Sequence, residues 1–160
     1  MPSNIINSTF ERIKLICPNV VLLKTIKFPI NSYYKPRNRY KADSIICYLS
    51  SITPKNHVTI GLTNKDISTT KDNIQDWGVM GLGFMPGNAC VASTFRLDKN
   101  NLAEQYFKVA IHELGHTQGL DHCNDEYCFM RDAEGKNHTN QETGFCKKCK
   151  DVLLKKGWKF

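Results

Sequence analysis

Residues 110–123 read AIHELGHTQGLDHC, and this stretch decides how the rest of the chain is interpreted. It closes a segment, about 101–118, whose apolar spacing predicts the strongest helix of the protein. Four residues make about 400° of helical turn, so His112 and His116 project from one face, about 6 Å apart along the axis. Gly119 is the residue predicted to end this helix in the left-handed conformation.

The same stretch predicts a catalytic zinc site. Imidazoles placed as those of His112 and His116 can bind one Zn²⁺ ion, and the turn after the helix brings His122 back as a third ligand. Three protein ligands leave a fourth position open for water, which distinguishes a catalytic zinc from a structural one. Glu113 lies beside the ligands but is poorly placed to bind the ion. We therefore predict that Glu113 is the general base, which takes a proton from the zinc-bound water.

Four of the seven cysteines fall within 27 consecutive residues and have the spacing of a metal site. They are Cys123, Cys128, Cys146 and Cys149. A C-x4-C pair followed by a C-x2-C pair matches a closed tetrahedral zinc site. Two disulfides are the competing interpretation, which the absence of an export signal disfavours. The sequence thus predicts two zinc ions per chain, one catalytic and one structural.

The two predicted zinc sites adjoin in the sequence. Because His122 and Cys123 are neighbours, we expect the structural ion to hold the third catalytic ligand in place. The other three cysteines lie among apolar neighbours and are predicted to be small buried side chains. They are Cys17, Cys47 and Cys90.

The chain as a whole reads as a mixed α/β domain. One segment, 120–145, is too polar and too short of aliphatic residues to form a core of its own. It is rich in possible metal ligands, so the structural zinc is predicted to order it. Helices are predicted at 7–17, 41–52 and 145–156, strands at 20–28 and 57–63, a loop at 64–76, and an antiparallel hairpin of 77–84 with 89–97.

Length and composition narrow the class further. The 160 residues suit one domain, with 1–119 as an upper part and 120–160 as a lower part. Eight Phe, six Tyr and two Trp exclude disorder. The longest apolar run, at 20–23, is far too short to span a membrane. With no secretory signal in the sequence, we expect a cytoplasmic location, and we also expect a monomer.

Taken together, these motifs resemble the archaemetzincins, a branch of the metzincin zinc metallopeptidases. The similarity lies in HELGHTQGLDHC, in Cys128-Phe129-Met130 and in the closing Cys146-Lys147-Lys148-Cys149. Weaker similarity upstream extends it over most of the chain, at 37–42, 61–63 and 79–97. One departure is the 15 residues between Met130 and Cys146, slightly fewer than is usual in the family, which leaves the shape of this loop open.

The resemblance implies a fold and a way of binding substrate. It implies one compact metzincin-like domain with a twisted mixed sheet, an antiparallel edge hairpin, a backing helix and a zinc-binding helix, with Met130 in the turn beneath the catalytic zinc. An edge strand above the zinc would bind a peptide or protein substrate by adding it to the sheet, and 77–84 is the predicted strand. Tyr127 is a candidate for stabilising the oxyanion.

Two other functions stay open on the sequence alone. A zinc-stabilised module that binds peptides without turnover would carry the same ligands, although an intact Glu113 favours an enzyme. A basic nucleic-acid-binding protein is suggested by the net charge of +7 and by lysines near the C-terminus, at 147, 148, 150, 155, 156 and 159. Because no recognition-helix pattern accompanies those lysines, we expect no nucleic-acid partner.

Overall fold

A computed structural model describes residues 2–160. In chain order, the elements of this part of the chain are α1 (Ser3–Ile16), β1 (Tyr33–Tyr34), β2 (Arg39–Lys41), α2 (Ala42–Ile52), β3 (Thr59–Thr63), β4 (Ile67–Lys71), β5 (Ile74–Val79), β6 (Gly81–Gly83), β7 (Ala89–Ser93), α3 (Leu102–Thr117) and α4 (Lys147–Leu154). The predicted mixed α/β class is confirmed.

Strand β7 is the buried centre of a sheet with the order β3-β7-β6. It runs parallel to β3 and antiparallel to β6, with Gly81 opposite Ala92. Side chains alternate across β7, so Cys90 and Ala92 face the core shared with α1 and α3, whereas Val91 faces the core shared with α2. The sheet therefore lies between α2 and α3, and α3 passes directly beside β6.

A second sheet holds the strands in the order β1-β2-β4-β5. The sequence predicted one continuous strand at 77–84, but the chain divides it between the two sheets at Met80, whose carbonyl accepts a hydrogen bond from Ser93 N at 2.7 Å. Residues up to Val79 pair with β4, and β6 alone pairs with β7. The predicted hairpin is thus confirmed only in its second half.

The predicted loop at 64–76 is wrong, because most of it forms β4 and the start of β5. The two strands are antiparallel and join through a tight turn at Asp72, which has a φ of +52°. Asx residues adopt this left-handed conformation more readily than most, so Asp72-Asn73 was the hairpin signal within a polar stretch.

The predicted strand at 20–28 is also wrong. Residues 21–28 belong to no strand and make no backbone hydrogen bond within residues 2–160. Val21 and Leu23 are 72% and 69% exposed, whereas Phe28 stacks on the Tyr40 ring at 4.2 Å. The composition favours a strand, but a strand also needs a neighbour with which to form a ladder, and none of the described strands lies there.

The helices follow the prediction more closely. Helices α2 and α3 match 41–52 and 101–118 within a residue or two, while α1 begins at Ser3, four residues early, and without a side-chain cap. No helix within residues 2–160 is both long and apolar enough to cross a membrane.

The C-terminal part has more apolar packing than its sequence suggests. Phe129 contacts Phe107 of α3 at 6.0 Å between ring centroids and Phe145 at 5.3 Å, and Phe145 contacts Trp158 at 5.9 Å. These edge-to-face contacts extend the core around α3 towards α4. Aromatic packing therefore acts together with any metal in ordering the residues after 119.

Candidate active site

Helix α3 and the turn that follows it bring three histidines together, and we call His112, His116 and His122 the histidine cluster. One ligand nitrogen from each lies within 4.8 Å of the others. His112 Nε2 and His116 Nε2 are 2.9 Å apart, as expected for helical neighbours four residues apart. The ring of His122 lies 4.9 Å from that of His116. The predicted convergence of the three side chains is found.

Two backbone carbonyls orient the helical histidines. His112 Nδ1 lies 2.7 Å from Phe129 O, and His116 Nδ1 lies 2.8 Å from Leu120 O. A carbonyl can only accept, so each Nδ1 donates its proton and each Nε2 carries a lone pair. Two lone pairs that face each other across 2.9 Å repel unless a cation binds both. This donor set fits zinc.

The surroundings also keep these imidazoles neutral. Burial, with the neighbouring His116 and His122, lowers the pKa of His112 to about 3. Burial likewise lowers the pKa of His116. A neutral imidazole is the form that binds a metal ion. The helical pair is therefore ready to bind zinc over the whole physiological pH range.

The third histidine reaches the cluster through a tight turn. Gly119 has a φ of +89°, the left-handed conformation predicted for it, and its N–H donates to His116 O at 2.8 Å. His122 is exposed, and its Nδ1 lies 3.4 Å from Asp132 Oδ2. The exposed side of the cluster is where a substrate could approach.

Glu113 lies beneath strand β6. It is only 7% exposed, and burial raises the pKa of its carboxyl to about 8. The carboxylate is so close to the backbone of β6 that a Cβ atom at Gly81 would overlap Glu113 Oε1. Glycine at this position is thus required by the close approach of a side chain, and this contact joins the sheet edge to the predicted base.

Met130 packs against α3, and its place in a turn beneath a catalytic zinc stays a prediction. It is fully buried, and its Sδ would lie 2.5 Å from a Cβ atom at Gly115. Gly115 sits between the two helical histidines in the sequence, so its missing side chain lets the turn at Met130 approach α3 closely. The carbonyl that orients His112 belongs to the preceding residue, Phe129.

The four predicted cysteines form a second cluster, which we call the cysteine cluster. Their sulfur atoms all lie within 4.8 Å of one another. Cys123 Sγ is 3.7 Å from Cys146 Sγ, and Cys128 Sγ is 3.8 Å from Cys149 Sγ. These distances are far longer than an S–S bond of about 2.05 Å. Sulfurs held at about 2.3 Å by one tetrahedral ion are about 3.8 Å apart, so the geometry fits a zinc ion.

Backbone amides stabilise negative charge in this cluster. The N–H groups of Met130 and Cys146 both point to Cys128 Sγ, at 3.5 and 3.3 Å. Burial acts to raise the pKa of Cys146, but hydrogen bonds from Cys149 and the other thiols lower it overall. Burial raises the pKa of Cys128 to about 11 and also raises that of Cys149, so among these three thiols only Cys146 favours the ionised form. Zinc binds thiolates, and the two amides directed at Cys128 Sγ would stabilise the charge that zinc binding requires.

The other predicted residues lie apart from both clusters. Cys90 is buried as predicted, but Cys17 is only half-buried and Cys47 is exposed, because it lies on the outer face of α2. The Tyr127 side chain is 55% exposed, and within residues 2–160 no hydrogen bond or ring contact joins it to the histidine cluster. Tyr127 as oxyanion stabiliser stays a prediction.

Sequence reasoning missed several parts of the site. The orienting carbonyls of Leu120 and Phe129 belong to the backbone and have no sequence signal. Gly81 and Gly83, two residues apart and next to α3, were a signal that a side chain comes close to this strand.

One family of known proteins matches almost the whole chain. The model of peptidase family M54 matches residues 5–156. An archaemetzincin of Methanopyrus kandleri is 32% identical over 141 residues, which are 84% of this chain and 78% of that protein. An archaemetzincin of Archaeoglobus fulgidus is 31% identical over 140 residues, which are 85% of this chain and 82% of that protein.

Solved structures match the fold. The crystal structure of archaemetzincin from Methanopyrus kandleri has a TM-score of 0.81 and 28% identity, and the match covers 96% of this chain and 86% of that one. The crystal structure of archaemetzincin from Archaeoglobus fulgidus, complexed with malonate, has a TM-score of 0.79 and 27% identity, and covers 95% of this chain and 94% of that one.

Proposed function

This chain belongs to peptidase family M54 and is a zinc metallopeptidase, and from that premise we propose which of its residues hydrolyse the peptide bond. The observation that carries the proposal is the juxtaposition of a buried carboxylate, Glu113, with three imidazoles whose ligand nitrogens converge. His112, His116 and His122 would hold the catalytic zinc. When bound there, zinc supplies Lewis acidity that polarises a carbonyl oxygen and makes a water molecule more acidic.

Glu113 is the general base and then the general acid. Its carboxylate takes the proton of the attacking water and delivers it to the nitrogen of the leaving amine. Glu113 belongs to α3, and its buried carboxylate lies between this helix and strand β6. Burial excludes bulk water from the carboxylate, so the proton passes between substrate and Glu113 without loss to solvent.

Strand β6 positions the substrate. β6 is paired with β7 on one side, and within residues 2–160 its other edge pairs with no strand. An extended peptide can add to that edge through backbone hydrogen bonds, and it would then lie directly above Glu113, which touches Gly81. The predicted substrate strand, 77–84, is therefore narrowed to Gly81–Gly83 and its immediate neighbours.

The cysteine cluster would hold a second, structural zinc, giving two ions per chain. The proposal is supported by the sulfur distances and by the link between the clusters: Cys123 N donates to Met130 O at 2.7 Å, and His122 adjoins Cys123. Phe129, whose carbonyl orients His112, lies between Cys128 and Met130. The structural ion would thus stabilise two of the three histidine positions.

A peptide-library digest tests this assignment. Zinc-loaded wild type and Glu113→Gln are digested side by side, with zinc content measured on both by metal analysis. We expect two zinc ions per chain in both proteins and cleavage only by wild type. Cleavage at equal rates would overturn the role of Glu113, and one zinc ion per chain would overturn the second site.

Four further proposals concern the oligomeric state, the location, the partners and the domain division of the protein. We propose that it acts on peptides as a monomer, in the cytoplasm and without a nucleic-acid partner, and that the domain divides into 1–119 and 120–160. Size-exclusion chromatography with light scattering tests the monomer. Limited proteolysis tests the division, because a boundary at 119 would yield a fragment that ends there.

A further inference from the structure

A buried lysine lies one helical turn before the histidine cluster. Lys108 is on α3, four residues before His112 and therefore on the same side of the helix, and it is only 7% exposed. Its Nζ donates to Thr139 O at 2.8 Å and to Glu142 O at 2.6 Å. The carboxylate of Glu104, one turn back, lies 3.4 Å from the same atom.

The contacts of this ammonium match its three donors. A buried ammonium group is costly unless each N–H has an acceptor, and here two carbonyls and one carboxylate oxygen surround it. A lysine used only for helix solubility would extend into water. Both carbonyls belong to the loop between Met130 and Cys146, so the lysine serves to hold that loop against α3.

The loop leads directly to the residues that orient His112. Directly after Glu142, Thr143 N donates to Tyr127 O at 2.8 Å, and Gly144 O accepts from Phe129 N, also at 2.8 Å. Phe129 O in turn accepts from His112 Nδ1 at 2.7 Å. A closed path of hydrogen bonds thus runs from Lys108 through the loop and returns to the same helix one turn later.

The same loop leads to the cysteine cluster. Cys146 follows Gly144 by two residues, and its N–H points to Cys128 Sγ at 3.3 Å. On the same side of α3, Gln105 Oε1 accepts from Asn137 Nδ2 at 2.6 Å, so the loop meets the helix at a second point. The segment between Cys128 and Cys146 is therefore held by α3 itself.

We propose that Lys108 is a positioning residue for the catalytic zinc site: it fixes the 139–144 segment, which sets the Phe129 carbonyl that aims His112. This inference rests on the proposed role of His112 as a zinc ligand. Lys108 does not touch the reacting atoms. It acts through two backbone carbonyls, so its loss changes how tightly the histidine cluster holds a metal ion rather than the identity of the ligands.

Metal release from Lys108→Met tests the proposal. Methionine keeps the length and the apolar part of the side chain and removes all three donors. The control is Lys14→Met, the same change at an exposed position of α1. We expect catalytic-site zinc to be lost to a chelator about 10- to 100-fold faster from Lys108→Met than from the control, the range usual for residues that orient a metal ligand.

A cobalt spectrum separates positioning from general destabilisation. Co²⁺ is placed in the histidine cluster while zinc stays in the cysteine cluster, and the visible bands report ligand geometry directly. We expect altered bands in Lys108→Met at a temperature where circular dichroism shows the protein fully folded. A variant that was merely less stable would keep the wild-type bands until it unfolds.

A milder variant keeps the test decisive if Lys108→Met does not fold. Lys108→Gln retains two N–H donors, so we expect a smaller change in the same direction. Zinc release and cobalt bands equal to those of Lys14→Met, in whichever variant folds, would overturn the proposal. Because neither readout uses a substrate, the result is independent of whether Glu113 is the base.

Discussion

The histidine and cysteine clusters hold their ligands in opposite ways. In the histidine cluster, each side chain is aimed by a group outside the cluster: two backbone carbonyls and the Asp132 carboxylate. In the cysteine cluster, the thiols contact one another at 3.7 and 3.8 Å, and amides of the same segments point at the sulfur. The histidine cluster thus depends on groups outside it, whereas the contacts at the sulfur atoms of the cysteine cluster come mostly from its own segments.

This difference makes the dependence between the two clusters one-sided. Phe129, whose carbonyl aims His112, directly follows Cys128, and His122 directly precedes Cys123. No ligand of the cysteine cluster is aimed by a histidine within the described residues. We therefore expect damage to the cysteine cluster to reach the catalytic site, and damage to the catalytic site to stop there.

The largest expected effect is loss of the cysteine cluster. The double change Cys146→Ser and Cys149→Ser removes two of four ligands, and structural zinc binding is worth on the order of 10 kcal/mol. We expect zinc content to fall from two ions per chain towards none, measured by metal analysis after dialysis. Cys47→Ser, an exposed cysteine outside both clusters, is the control and should keep both ions. If the double variant kept its catalytic zinc, the histidine cluster would not depend on the cysteine cluster as proposed.

Next in size is the loss of the general base. Glu113→Gln should lower kcat by about 10²- to 10⁴-fold, because no carboxylate then takes the proton of the attacking water. Zinc content and thermal unfolding should stay near wild type, since glutamine has the same shape. Steady-state kinetics on a fluorogenic peptide measure the rate. Loss of zinc from the cysteine cluster in this variant would contradict the expectation that damage to the catalytic site does not reach that cluster.

The contact between β6 and Glu113 should give a smaller effect. In Gly81→Ala the new Cβ would overlap the Glu113 carboxylate, which must move. A displacement of about 1 Å lowers a catalytic rate by about 100-fold, so we expect kcat to fall by about that factor. The same change in the Glu113→Gln background should cost almost nothing more. Equal losses in both backgrounds would show that Gly81 acts on substrate binding instead.

The smallest expected effect is a pH dependence of stability that arises in the loop between Met130 and Cys146. Burial raises the pKa of Glu142 from 4.5 to about 7. The folded state therefore binds an extra proton between these pH values, and the free energy of unfolding falls as pH rises from about 4.5 to 7. Glu142 is only 6% exposed, but the charges of Lys108 and Arg131 offset part of the effect of burial, so we expect the loss to be about 1–2 kcal/mol.

Urea unfolding at pH 5 and pH 8 measures this effect. Glu142→Gln removes the titration, so it should be more stable than wild type at pH 8 and lose less stability between the two pH values. Glu11→Gln, on the exposed face of α1, is the control and should behave as wild type. A wild type that gains stability between pH 5 and pH 7 would contradict the buried state of Glu142.

The sequence predicts those parts of the molecule that depend on local spacing. His112, His116 and Glu113 follow from the helical period, the cysteine cluster from its spacing, and Gly119 from the need for a left-handed residue. Parts that depend on distant backbone were missed. The carbonyls of Leu120 and Phe129 have no signal in the letters, and the role of Lys108 appears only once the loop lies against α3.

The two errors in strand assignment have the same physical origin. Composition reports whether a residue suits a pleated surface, but pairing decides whether a strand forms. The polar stretch around Asp72 found a partner and became a hairpin, whereas the apolar stretch at 20–28 found none. In both cases the presence or absence of a pairing partner, and not the composition of the stretch, decided the outcome.

The unpaired stretch at 21–28 should be the part of the protein most open to hydrogen exchange and to proteolysis. Its amide protons have only water as a partner within the described chain, so they should exchange with deuterium within seconds while those of β7 are protected for hours. Exposed backbone without hydrogen-bond partners is also where proteases cut a folded chain first. Stored samples of this peptidase should therefore be nicked within 21–28 before they are cut elsewhere.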